Sequence, residues 1–232
     1  MSKRIIDLSV KLTNNMPAHK FFPRPCIVPH LTHEDFLKMG NGVPGDPLSG
    51  ATTFMGMIDH VGTHVDSFYH TRPDGESIDE MPLEMFMGQA VCLDLTHIPD
   101  LGDIDVADLE AAEKKANVTI DGHIVLLNTG LHKRHFPTDK VIWNNPGITV
   151  EATHWFADKG SKLHGVEGPS TDKPSDNLFP NHRTCRDRKI THYEWLCNLE
   201  ELVGRGEFYF EGLPLNLGRG SGSPCRAIAM ID

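Results

Sequence analysis

The segment from His60 to His70 concentrates residue types that bind transition metals, in the spacing H-x-G-T-H-x-D-x-x-x-H. His60, His64, Asp66 and His70 all fall on even positions, and β-branched residues fill the odd positions between the first three. In an extended strand this pattern places the polar groups on one face. A straight strand would separate residues 60 and 66 by about 20 Å, so the chain must bend for both to reach one ion. Gly62 is the residue that permits such a bend.

Two imidazoles and one carboxylate suit a divalent transition metal ion and leave coordination positions for water and substrate. Such an ion polarises a carbonyl group and lowers the pKa of bound water toward ~7. His70 follows on the same face, where an imidazole can carry protons to and from the reacting atoms. The alternative is that these groups are independent residues satisfied by backbone hydrogen bonds, but their joint spacing favours a metal site.

Predicted elements on both sides of this motif alternate between strands and helices. Strands are predicted at 5–10, 90–96, 123–128, 207–211 and 225–231, and helices at 33–39, 105–116 and 149–157, with a capping box at 198–201 opening a further short helix. The alternation predicts an α/β fold with a mixed sheet. We expect one domain over residues 1–232, in which residues 14–49 form an extended arm or lid.

Composition excludes several classes of protein. The formal net charge of −10 argues against general binding to nucleic acid or to anionic membranes. No stretch approaches the ~20 apolar residues that span a bilayer, and Asp7 precedes any apolar core of a signal peptide, so we expect a cytoplasmic protein. The five cysteines form no C-x-x-C pair, which indicates neither a disulfide framework nor a thiolate zinc knuckle. No nucleophilic-serine elbow surrounds any serine.

The motif from His60 to His70 resembles the signature of the cyclase family of metal-dependent hydrolases, which includes bacterial kynurenine formamidases and isatin hydrolases. Further similar segments occur in the family's order along the chain, at 6–9, 168–172, 182, 194–199, 214–215 and 222–227. The resemblance implies a swivelling β/β/α-type domain around a mixed, barrel-like sheet. It also implies homodimers or homotetramers, in which the arm at 14–49 would contact a neighbouring subunit and help to line its pocket.

The same resemblance implies the ligands of the metal. His60, His64 and Asp66 would bind a first ion, and Asp66 would bridge to a second ion held by His182 and Glu194. Other members of the family work with a single manganese or zinc ion, so the expected cofactor is Mn²⁺ or Zn²⁺, as one or two ions. Without the resemblance, His182 would be interpreted as a loop residue and Glu194 as an acid at the start of a surface helix.

One position departs from the family pattern. The family has proline two residues before the last histidine of the motif, and this chain has Phe68. Phe68 is therefore expected either to offer an aromatic wall to a flat substrate or to fill space in the core.

The function predicted from these residues is hydrolysis of the C–N bond of a small cyclic, isatin-like amide by attack of metal-bound hydroxide, with His70 as the proton carrier. An arylformamidase of the N-formylkynurenine type and a lactone or ester hydrolase are the alternatives. A non-catalytic metal- or ligand-binding protein on the same scaffold is the hypothesis from another class. The presence of His70 favours catalysis over that hypothesis.

Overall fold

Strands and helices alternate along the chain, as the sequence predicts. The computed structural model describes residues 4–40, 45 and 48–232. The strands are β1 (Arg4–Asp7), β2 (Cys26–Leu31), β3 (Thr52–Gly56), β4 (His64–Asp66), β5 (Met87–Asp94), β6 (Asp103–Ile104), β7 (Ile124–Asn128), β8 (Gly147–Ile148), β9 (Leu163–Val166), β10 (Thr191–Glu194), β11 (Phe208–Glu211), β12 (Gly222–Pro224) and β13 (Ile228–Ile231). The α-helices are α1 (His33–Lys38), α2 (Val106–Ala116), α3 (Leu131–His135), α4 (Lys140–Trp143), α5 (Val150–Asp158) and α6 (Pro180–Arg188). Short 3-10 helices span Phe68–His70, Leu83–Phe86 and Leu199–Glu201. Over the described ranges, no helix is both long enough and apolar enough to cross a membrane.

The main sheet has nine strands in the order β1-β13-β11-β5-β7-β9-β10-β4-β12 and curls into a half-barrel. Its four central strands, from β5 to β10, run parallel to one another, whereas the strands on both flanks pair antiparallel. The predicted α/β class with a mixed, barrel-like sheet is therefore confirmed.

The central strands are covered on both faces, which explains their nearly continuous apolar sequences. Even-numbered residues of β5 and β7, such as Cys92 and Leu126, join one core cluster with residues of β11 and β13. Odd-numbered residues, such as Leu93 and Leu127, join a second cluster with buried residues of α2 and α5. Because successive side chains point to opposite faces of a strand, the hydrophobic residues are divided between two core layers. This division fixes the position of the sheet between them.

Two of the longer helices, α2 and α5, begin where the sequence predicts, whereas α6, which carries His182, was not predicted. Asp105 caps α2, and it exchanges hydrogen bonds with Asp108 in a capping box. Thr149 caps α5 by accepting a hydrogen bond from the backbone N–H of Ala152. The predicted capping box at 198–201 is wrong. Asn198 has a φ of 59° and makes no capping bond, and its side chain instead donates to the carbonyl of Asp7 at 2.8 Å.

The segment predicted as an arm, residues 14–49, contains more regular structure than the sequence indicated. β2 pairs antiparallel with β3 in a separate two-stranded sheet, and α1 follows β2 with its own capping box at Thr32. Near the start of the segment, Lys20 donates to the carbonyl of Pro174 at 2.6 Å, which ties the segment to the main body. Residues 41–44, 46 and 47 of the predicted arm lie outside the described residues. The predicted homodimer or homotetramer, with the arm at a subunit interface, stays a prediction.

Candidate metal centre

The central feature of the site is the short strand β4, which carries His64 and Asp66 on one face. β4 lies between β10 and β12, and the register of β10 places Glu194 directly opposite His64. Immediately before β4, Gly62 has a φ of 73°, and a Cβ atom there would lie only 2.3 Å from the side chain of Leu12. The bend expected at Gly62 is therefore present, and a residue with a side chain does not fit it.

Because of this bend, the imidazole of His60 lies next to the carboxylate of Asp66. His60 Nδ1 lies 2.9 Å from Asp66 Oδ1, and His64 Nε2 lies 3.4 Å from the same oxygen. His64 Nε2 is also 3.5 Å from Glu194 Oε2. The first set of ligands predicted from the sequence is thus brought together, with one carboxylate oxygen at its centre.

A second set of groups meets the other oxygen of Asp66. His182 Nε2 lies 3.7 Å from Asp66 Oδ2 and 3.6 Å from Glu194 Oε1. His192 Nε2 lies 3.2 Å from Asp66 Oδ2 and 3.4 Å from Glu194 Oε1. The two carboxylates therefore stand between two groups of imidazoles, as a pair of ions sharing a bridging ligand requires.

Hydrogen bonds behind the imidazoles fix which nitrogen faces the carboxylates. His64 Nδ1 bonds the carbonyl of Gly62 at 2.8 Å, and His182 Nδ1 bonds Asp172 Oδ2 at 2.5 Å. A ligating histidine in a metalloprotein usually donates its other N–H in this way, which sets its tautomer and its ring orientation. The Nε2 atoms of both residues are left free to bind an ion.

The site is buried and strongly charged. Asp66 and Glu194 are only 4% and 5% exposed. Burial raises the pKa of Asp66, but electrostatic interactions with the imidazoles of His70, His60 and His192 outweigh that effect and hold the pKa well below its usual value. Glu194 has a lowered pKa for a similar reason: burial raises it, but the nearby imidazoles of His192 and His64 outweigh that effect. Both carboxylates are therefore anionic at neutral pH and need a cation between them.

The groups present fit a divalent metal ion. Within the described part of the chain, His64 Nε2 and Glu194 Oε1 are buried and have no hydrogen-bond partner. A buried polar atom without a partner typically costs about 1–3 kcal/mol, and an ion between these atoms would satisfy them. Imidazole nitrogens and carboxylate oxygens are ligands that both Zn²⁺ and Mn²⁺ accept.

His70 lies at the edge of this cluster. It ends the short 3-10 helix at Phe68–His70, and its Nε2 is 3.8 Å from Asp66 Oδ2. Its side chain is 29% exposed, and burial lowers its pKa to about 4 despite the nearby charge of Asp66. The imidazole is therefore neutral at pH 7 and able to accept a proton.

A cavity of about 390 Å³ opens above the cluster, with His60, Asp66, His70, His182 and Glu194 at its floor. Its walls are largely apolar and aromatic, with Phe21, Phe22, Leu178 and Phe179. They also include Pro169 and the polar residues His19, Thr71, Ser170 and Arg183. The ring of Phe22 stacks against His60 with a centroid distance of 5.9 Å, and the edge of Phe179 packs against His182 at 5.5 Å. A flat apolar ring entering the cavity would therefore lie directly beside the ligand imidazoles.

Phe68 does not line this cavity. Its side chain packs against the core cluster that contains Val65, and it borders only a small cleft behind His182 and His192. The space-filling interpretation of Phe68 is the one that its position supports. The cavity does have an aromatic wall, but this wall is formed by Phe21 and Phe22 of the N-terminal segment and by Phe179, which precedes α6.

Sequence reasoning missed His192 and Asp172. His192 precedes Glu194 by two residues on β10, so the strand period that grouped His64 with Asp66 also groups this pair. Asp172 lies in the segment at 168–172, where similarity to the family was noted without a role. The structure places it behind His182, where its carboxylate orients the imidazole.

Comparisons with known proteins agree with this geometry. The family model Cyclase ("Putative cyclase") matches residues 6–173. A kynurenine formamidase of Erythrobacter litoralis is 28% identical over 230 residues, which cover 97% of this chain and 93% of that protein. A kynurenine formamidase of Bacillus cereus is 26% identical over 171 residues, which cover 73% of this chain and 75% of that protein. The structure of isatin hydrolase A from Ralstonia solanacearum superposes with a TM-score of 0.81 at 25% identity, and the match covers 99% of this chain and 92% of that one.

The match to the family model extends over more than half of the chain and includes β4 with His60, His64 and Asp66. The chain belongs to the cyclase family of metal-dependent hydrolases. The resemblance inferred from the sequence is thereby confirmed, and so is the expectation of a hydrolytic enzyme.

Replacing His64 by alanine should remove most of the bound metal, because His64 Nε2 faces both carboxylates. Loss of a group that only orients a ligand typically weakens metal binding 10–100-fold, so loss of a direct ligand should weaken it by at least about 100-fold. Metal content by mass spectrometry and titration of the metal-free protein would measure the effect. His97→Ala is the matched control, since His97 is exposed and bonds only Asp108. A folded His64→Ala protein with full metal occupancy would refute the assignment.

Proposed function

We propose that the protein hydrolyses the C–N bond of a small cyclic amide with an aromatic ring, of the isatin type. The observation that carries the proposal is the cavity itself, which joins aromatic walls to a floor of metal-binding groups. Its volume of about 390 Å³ is at the small end of the range for ligand pockets, about 300–1,000 Å³.

The charges of the cavity favour a substrate without a cationic group. Among the described residues that line it, the acids are Asp66 and Glu194, and both belong to the metal-binding cluster. A substrate that carries an ammonium group, such as an amino acid, would find no separate carboxylate to bind it. A neutral ring amide has no such requirement.

Arg183 supplies a positive charge at the mouth of the cavity. It projects from α6, is exposed, and forms no ion pair with any described residue. Opening a cyclic amide produces a carboxylate in the same molecule as the released amine. A guanidinium group is suited to bind this new carboxylate.

The residues at the cavity would have separate roles in this reaction. One or two divalent ions would be held by His60, His64, Asp66, His182 and Glu194. When bound, this metal supplies a Lewis acid for the carbonyl oxygen and a water of lowered pKa. Phe22 and Phe179 would orient the aromatic ring over the floor of the cavity. The neutral imidazole of His70 would accept a proton from the attacking water and deliver it to the departing nitrogen, so that water adds across the C–N bond.

An arylformamidase is the second candidate, because the relatives of Erythrobacter litoralis and Bacillus cereus are named kynurenine formamidases. The same floor and the same proton carrier would serve a formamide. The two candidates differ in what the cavity must hold, since N-formylkynurenine carries an amino acid group and a cyclic amide such as isatin does not.

A panel of substrates distinguishes the candidates. The protein loaded with Mn²⁺ or Zn²⁺ should hydrolyse isatin with a kcat/KM at least about tenfold above that for N-formylkynurenine or an aromatic lactone, because a difference of 1.4 kcal/mol in transition-state binding is tenfold. Faster turnover of N-formylkynurenine would replace the proposal with the second candidate. No hydrolysis of any of them by the metal-loaded protein would contradict both.

Arg183→Leu provides a further test within this panel. The substitution should weaken inhibition by the ring-opened product about tenfold, since an ionic hydrogen bond is worth about 1.5–3 kcal/mol and this one is exposed to solvent. The KM for the neutral substrate should change less. Arg188→Leu is the control on the same helix, because Arg188 pairs with Asp158 instead of lining the cavity.

Replacement of His70 by alanine tests the proton carrier. We expect kcat to fall about 10²–10⁴-fold with little change in KM, because general acid–base groups typically contribute that much to the rate. Metal content should stay at the wild-type value. Loss of metal would make His70 a ligand, and full activity would exclude it from the reaction. His123→Ala, outside the cavity, is the control.

A further inference from the structure

A second group of metal-binding residue types lies beside the centre described above. His164 of β9 and His192 of β10 occupy paired positions in neighbouring parallel strands. Their rings stack with a centroid distance of 5.4 Å and an angle of 23° between planes. Cys185 of α6 packs against them, and one ligand atom from each of the three residues lies within 4.8 Å of the others.

These side chains are almost completely buried. The exposed fractions are 0% for His164 and 3% for both Cys185 and His192. Neither ring nitrogen of His164, and neither of His192, makes a hydrogen bond to any residue in the described part of the chain. Four buried imidazole nitrogens without a hydrogen bond are unusual, because buried polar groups in folded proteins are nearly always hydrogen-bonded.

For His164, the surroundings do not supply the missing partners. His164 stacks against the ring of Phe156 at 5.2 Å, which offers no lone pair and no donor. The thiol of Cys185 donates weakly to Asn181 Oδ1 at 3.3 Å. His192 Nε2 lies 3.2 Å from Asp66 Oδ2 and 3.4 Å from Glu194 Oε1, and in neither case is it aligned as a hydrogen bond.

We propose that His164, Cys185 and His192 bind a thiophilic divalent ion, of which Zn²⁺ is the first candidate. Ligands bound to one tetrahedral zinc ion lie about 3.3–3.8 Å apart, so small rotations from the present positions bring the three atoms to coordinating distance. On binding, Cys185 loses its proton to solvent and ligates as the thiolate, and an imidazole nitrogen of each histidine donates its lone pair. Water or the amide oxygen of Asn181 is available as a fourth ligand.

The chemistry of this site differs from that of the centre at Asp66. The Asp66 centre offers only imidazole nitrogens and carboxylate oxygens, which accept manganese as readily as zinc. A thiolate with two imidazoles selects zinc over manganese. Because His192 contacts both groups, an ion held by Cys185 would fix the position of a side chain at the hydrolytic centre. The proposal does not depend on which amide the enzyme cleaves.

Cobalt substitution tests the site directly. Titration of the metal-free protein with Co²⁺ should produce the near-ultraviolet charge-transfer absorption of a cobalt–thiolate bond. Cys185→Ser should abolish this absorption and lower the stoichiometry of bound zinc by one ion per chain. Cys197→Ser is the matched control, because Cys197 is about equally buried but belongs to the core cluster around Trp195, and it should retain the absorption.

A second measurement keeps the test valid if Cys185→Ser fails to fold. X-ray absorption at the zinc edge of the wild-type protein should show a sulfur ligand at about 2.3 Å. The proposal is overturned if the wild-type protein shows neither the cobalt–thiolate absorption nor a sulfur ligand, which would leave the four nitrogens to ordered water. It is also overturned if the absorption persists in folded Cys185→Ser, or if Cys26→Ser, which alters an exposed cysteine, abolishes it.

Discussion

The arrangement of the site depends on the burial of one carboxylate, that of Asp66, among imidazoles from three parts of the chain. Moving a carboxylate out of water costs several kcal/mol unless its charge is compensated. Oδ1 of Asp66 is compensated by His60 and His64 from the same segment, and Oδ2 by His182 and His192 from α6 and β10. The residues that meet at Asp66 are up to 132 positions apart in the sequence, so the fold must be formed for the site to exist. A divalent ion at either oxygen would add the positive charge that the buried pair of Asp66 and Glu194 lacks.

The curled sheet explains why these residues meet. β4 is short and lies between β10 and β12, and β10 places Glu194 directly opposite His64. Gly222 of β12 lies opposite Asp66, and a Cβ atom on it would be 2.7 Å from the ring of His60. Glycine at this position therefore gives His60 the space to turn back toward the carboxylate. The N-terminal segment then covers the open side with Phe21 and Phe22, which turns a polar cluster into a cavity with apolar walls.

The sequence predicted the parts of this structure that depend on local patterns. The two-residue period of β4, the start of α2 at Asp105 and the apolar runs of β5 and β7 are all encoded within a few neighbouring residues. Local patterns do not encode which distant residue lies opposite a given strand position, so His182 and Glu194 were expected only from the resemblance, and His192 was missed. Phe68 shows a related limit: its aromatic type was compatible with a wall of the cavity or with space filling, and only the folded structure shows that it packs against the core cluster.

The number of ions at Asp66 is the most direct test of this account. Crystals of the metal-loaded protein, measured at the absorption edge of manganese or zinc, should show two anomalous peaks at the hydrolytic centre, one on each side of the Asp66 carboxylate. The peak near Oδ1 should contact His60 and His64, and the peak near Oδ2 should contact His182, with Glu194 within reach of both. A single peak, with Glu194 or His182 turned away from it, would contradict the view that Asp66 is a shared ligand around which the site is built.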